Sequence, residues 1–146
     1  MPTDAPPFLR RYLWVVGAGL LVQGTLTLVA IAIWGDAGAH RTHGILNHDA
    51  RHGLLHVLWG LALLVTVNLK SRAPLLVGDA IVIGVFYLAL GVLGIVTHDP
   101  FGLLLGPGEN GFHLIVGGSA LVVGLLALRA GTRSVRAELS PGLSDG

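Results

Sequence analysis

Residues 12–34 read YLWVVGAGLLVQGTLTLVAIAIW, an apolar run with no Asp, Glu, Lys or Arg. About 20 such residues in a helix cover the roughly 30 Å of hydrocarbon in a bilayer. A segment in hydrocarbon has to satisfy its own backbone hydrogen bonds, so the run is expected to be helical. Three similar segments follow at about 53–69, 74–96 and 112–130, with Asp79 near the start of the third. The expected fold class is therefore all-α: a four-helix transmembrane bundle forming a single integral membrane domain over residues 1–146, with mobile tails at 1–7 and 132–146. A secretory signal is the competing reading of the first run, since Arg10 and Arg11 precede it and Ala30-Ile31-Ala32 resembles a cleavage site. Signal cores span about 7 to 15 residues, so this longer run is read as a retained span.

Composition agrees with the spans. The 146 residues are 53% hydrophobic and 12% charged, against about a quarter charged in soluble domains. A net charge of +1 argues against nucleic acid, which demands a dense basic face. The absence of cysteine excludes disulfides, thiolate metal sites, iron–sulfur clusters and cysteine nucleophiles. The 22 glycines show no collagen-like period and are read as places where helices approach closely.

Basic residues set the expected direction. Arg10, Arg11, Lys70, Arg72, Arg129, Arg133 and Arg136 fall on one side of the spans, and only Arg41 and Arg51 on the other. The excess of positive charge places both termini in the cytoplasm. The loops 35–52 and 97–111 then face outward.

The second span opens His56-Val57-Leu58-Trp59-Gly60 and the fourth opens His113-Leu114-Ile115-Val116-Gly117, both H-x-x-x-G. This internal repeat is expected to give two helical hairpins in parallel repeat, related by an axis along the bilayer normal. Residues four apart share a helix face, so each imidazole stands over a glycine that admits a neighbouring backbone. The fourth span continues this stripe through Ala120 and Gly124, and the third carries Ala80, Gly84, Tyr87 and Gly91.

These residues resemble the small four-span bacterial membrane proteins known as domain of unknown function 4383. The resemblance covers nearly everything except the tails. It is carried by His52-Gly53-Leu54-Leu55-His56 with Gly60, by Tyr87 and Gly91, and by Glu109-Asn110-Gly111-Phe112-His113 with Gly117. Members of that family usually have Asn where this chain has Gly53, and often Asp where it has Glu109. The resemblance implies the four-span fold and a bacterial cell membrane location, and no activity.

All seven histidines, at 40, 43, 48, 52, 56, 98 and 113, fall in the outward half of the expected topology. His48, His52 and His56 lie four residues apart and would share one helical face. Imidazole ligates zinc and copper(II), which makes His48, His52, His56 and His113 the candidate metal set. The competing reading is that His56 and His113 donate ring N–H groups to loop acceptors, with Glu109 and Asn110 in the same loop-stapling role. Met1 is the only methionine, which removes a copper(I) thioether site. A bis-histidine haem would require both rings to face one cavity and is disfavoured.

Other polar groups inside the spans are Gln23, Asp79, Tyr87 and Ser119. Such groups mark function or interhelical hydrogen bonding. Asp79 is expected to pair with Lys70 or Arg72, and Gln23 with Tyr87 or Ser119. The apolar stretch 101–107 is expected to cap the bundle or lie in the interface. No Ser–His pairing, phosphate loop or H-E-x-x-H is present, so no catalytic residue is assigned. The expected function is that of a non-enzymatic structural or accessory membrane component with no cofactor, whose partners are the lipid bilayer and another copy or a larger membrane complex. The alternative is a protein that binds metal or a cofactor through its outward histidines. A small transporter subunit ranks third.

Overall fold

The computed structural model describes residues 5–35, 49–69, 72–103 and 105–138, with side chains as far as 133. Among the described residues the fold consists of four long helices: α1 (Pro7–Trp34), α2 (Ala50–Asn68), α3 (Ala73–Thr97) and α4 (Pro107–Glu138). A single 3₁₀ turn, Pro100–Gly102, lies between α3 and α4. All four helices are long and apolar enough to cross a membrane.

The helices begin earlier than the apolar runs because their first turns are polar or carry proline. Proline occupies the first turn of both α1 and α3, where its missing N–H costs nothing and its fixed φ suits the helix. Asp49 caps α2 by accepting a hydrogen bond from the backbone N–H of His52 at 2.9 Å, the usual role of an N-terminal aspartate. In α4 the first turn is Pro107-Gly108-Glu109-Asn110. At the far end of α2, the Arg10 guanidinium donates to the Val67 carbonyl at 3.0 Å, satisfying one of the acceptors that a helix C-terminus leaves open.

Glycines determine how the helices pair. A Cβ on Gly60 would lie 2.6 Å from Leu21 N and 2.7 Å from Gly17 O. One on Gly24 would lie 2.5 Å from Gly53 O and 2.8 Å from Val57 N. Numbers rising along α1 therefore meet numbers falling along α2, which makes an antiparallel pair with backbones in contact. The same seam joins α3 to α4, where a Cβ on Gly117 would lie 2.6 Å from Leu88 N and 2.9 Å from Gly84 O. Contact is dense within each hairpin and sparse between them.

Leu13, Leu20, Leu63, Ile83 and Ala120 belong to one buried cluster. Outward faces carry large apolar side chains such as Trp14, Leu26, Val82 and Ile115. Exposed apolar surface on this scale would be a liability in water and is no cost in lipid. A hydrogen-bonded polar bridge joins the hairpins from the Tyr12 hydroxyl to Ser119 Oγ at 2.7 Å and to Val116 O at 3.2 Å.

Two expectations about polar partners change. Among the described residues, Asp79 makes no ion pair with Arg72; it faces the Thr66 hydroxyl instead, and Lys70 lies outside the described residues. Ser119 bonds to Tyr12 rather than Gln23, because Tyr12 near the N-terminal end of α1 points across to α4. The stretch after α3 does cap the bundle: Leu103 and Leu105 are buried with Leu90 against Leu55 and Phe86.

Candidate functional site

The polar groups that the described residues bury most completely lie together at one end of the bundle. His52, His56 and His113 are each 0% exposed, Glu109 2% and Asn110 6%. On α2 the four-residue spacing puts His52 and His56 on one face, their ring centroids 4.6 Å apart. His56 is the seventh residue of α2 and His113 the seventh of α4, so both rings sit about one and a half turns inside their helices.

The rings converge in space although no Cα of α2 lies within 8 Å of one in α4. The centroids of His52 and His113 are 5.2 Å apart, and their Nε2 atoms approach to 3.3 Å. His56 is 6.2 Å from His113 by centroid. One nitrogen from each of the three residues lies within 4.8 Å of the other two. Side chains, not backbone, fill the gap between these two helices.

Tyr87 of α3 forms a wall of this cluster. Its ring stacks on His56 at 6.0 Å and meets His113 edge-on at 5.2 Å. The ring is 0% exposed, and its hydroxyl has no hydrogen-bond partner among the described residues. Phe112 closes another side, 6.1 Å from His56.

Glu109 and Asn110 serve the start of α4 and its junction with α3. A Cβ on Gly106 would lie 2.7 Å from Glu109 Oε2, so this carboxylate folds back over the helix N-terminus, where N–H groups and the helix dipole favour an anion. Asn110 packs against Gly94, where a Cβ would collide with its Oδ1. Next to them, the Arg51 guanidinium reaches the Gly102 backbone, 2.9 Å from where a Cβ there would stand.

Of the four residues in the sequence-derived metal set, the structure brings together His52, His56 and His113; His48, like His40 and His43, lies outside the described residues. His98 is exposed at the C-terminus of α3 and takes no part in the cluster. Gly60, Gly117, Ala120 and Gly124 are buried, the three glycines against the facing helix of their hairpin. Gln23 lines an apolar groove with Ala18, Gly19, Val22, Leu26 and Phe112. Two features went unread in the sequence: the Tyr12–Ser119 bridge, and the glycines Gly17 and Gly24, whose seven-residue spacing matches Gly84 and Gly91 and was the available signal.

No family model, curated protein or solved structure matches the chain. The resemblance to the four-span family thus rests on the quoted motif residues alone.

Proposed function

We propose that the chain is a multi-pass protein of the bacterial cell membrane, with cytoplasmic termini and two hairpins in parallel repeat, and that it acts as a structural or accessory component. The observation that carries the repeat is the burial pattern. Buried Leu9, Leu13, Gly17, Leu20 and Gly24 of α1 have counterparts, at one constant offset, in buried Leu76, Ala80, Gly84, Tyr87 and Gly91 of α3. Buried His52, Gly53, His56, Gly60 and Leu63 of α2 correspond in the same way to Glu109, Asn110, His113, Gly117 and Ala120 of α4, all buried. Seven of nine basic residues on one side support the orientation.

An accessory role is favoured over transport because, among the described residues, the fully buried polar side chains gather at one end of the bundle. Beneath the histidines the core is Leu20, Leu63, Ile83 and Ala120, whereas a transport path needs polar groups or broken helices near the bilayer midplane. The apolar outer faces suit lipid, a second copy or a larger membrane complex.

The test has two arms. Since the chain has no cysteine, His43→Cys should label in intact cells and Ser134→Cys only after permeabilisation; labelling of 134 alone reverses the orientation. Proteoliposomes carrying the protein should hold proton and sodium gradients as long as empty ones. A leak abolished by His113→Ala would replace the accessory reading with transport.

A further inference from the structure

We propose that His52, His56 and His113 form a metal site that takes one borderline divalent ion, with zinc the best fit, and leaves a coordination position for water or another small ligand. The inference is independent of the accessory reading and of the orientation in the membrane.

Geometry carries it. Zinc binds imidazole nitrogen at about 2.0–2.1 Å, and two ligands on a tetrahedron of that size stand about 3.4 Å apart. His52 Nε2 and His113 Nε2 are 3.3 Å apart. Copper(II) prefers a tetragonal plane, in which neighbouring nitrogens stand closer, at about 2.8–2.9 Å. A bis-histidine haem needs its two nitrogens on opposite sides of the iron, about 4 Å apart at twice a metal–nitrogen bond, with a macrocycle where Tyr87 and Phe112 now pack. His56 offers its nitrogen within 4.8 Å of the other two, so a bound ion would have to draw it inward to reach tetrahedral spacing.

The donor set and its setting agree with this. Two ligands come from one helix at i, i+4 and the third from another helix, so the ion would tie α2 to α4, whose backbones do not touch. All three imidazoles are 0% exposed, which excludes bulk water and favours a defined coordination number. The neighbouring acid, Glu109, is not among the grouped ligand atoms, and its Oε2 lies beside Gly106 at the start of its own helix. That leaves three nitrogen ligands and an open fourth position, the pattern of zinc sites that exchange a ligand. Tyr87, against two of the rings, contributes a buried hydroxyl with no partner among the described residues. A water on the ion is the kind of group it lacks.

The experiment uses the full chain in nanodiscs, free of any affinity tag and stripped with chelator. Zinc titration by calorimetry should saturate at one ion per chain, and cobalt(II) should give the intense visible bands of a four-coordinate site. His52→Ala, His56→Ala and His113→Ala should each weaken zinc at least about 10–100-fold, the loss that even supporting residues cause at metal sites. His98→Ala and a combined His40→Ala, His43→Ala, His48→Ala variant should bind as the parent does. If the cluster variants fail to fold, X-ray absorption on the zinc-loaded parent decides, and it should count three imidazoles. No saturable binding, binding that disappears with the loop histidines, or a shell with fewer than three imidazoles overturns the proposal.

Discussion

At the scale of single residues, the glycines fall into two kinds that sequence alone does not separate. Gly60 meets the backbone of α1, with Leu21 N at 2.6 Å from a built Cβ, whereas Gly19 and Gly118 have nothing within 4 Å. Backbone cannot rotate out of the way as a side chain can, so Gly60→Ala has to push the two helices apart. Overpacking of this kind costs about 1–3 kcal/mol. Gly19→Ala meets open space and gains helix propensity, worth up to about 1 kcal/mol. Thermal unfolding in detergent should therefore show Gly60→Ala melting several degrees below the parent and Gly19→Ala at or above it. Equal melting temperatures would show that the α1–α2 seam is looser than described.

At the scale of helices, the Tyr12–Ser119 hydrogen bond is one of the polar links between the hairpins, beside His52–His113 and Asp79–Thr66. A hydrogen bond of this type contributes about 0.5–1.5 kcal/mol net. Membrane examples average about 0.6 kcal/mol. Tyr12→Phe and Ser119→Ala should each destabilise by that order, and the double variant by little more than either, since both remove the same bond. Full additivity in the double-mutant cycle would mean that the hydroxyls do not cooperate. The same pair shows what the sequence could and could not disclose. Apolar runs located all four helices, because hydrocarbon leaves the backbone no other way to satisfy its hydrogen bonds. Their first turns were less legible: Pro7, Asp49 and Pro107 start helices before the apolar run begins. The His52–His56 spacing was legible as a shared face, since it depends only on the helical period. Their meeting with His113 was not, because it depends on how one hairpin sits against the other, and no local pattern encodes that. Tyr12 looked like the edge of a span for the same reason.

At the scale of the whole molecule, seams within the hairpins are close and glycine-lined, while the contact between hairpins is sparse. Each hairpin should then be an independent unit of insertion, with the bundle formed by a second, weaker step. Splitting the chain between Lys70 and Ser71 tests this directly. The halves 1–70 and 71–146, expressed together, should both enter the membrane and resist extraction by carbonate. They should also copurify in mild detergent and separate under conditions that the intact chain withstands, because the link that held them at high effective concentration is gone. If zinc bridges α2 and α4, adding it should shift the halves toward the complex, since a ligand that binds only the assembled form stabilises that form. His113→Ala in the second half should remove the zinc effect and leave insertion intact. Degradation of either half expressed alone would show instead that the hairpins depend on one another to fold, and that the sparse contacts between them matter more than their number indicates.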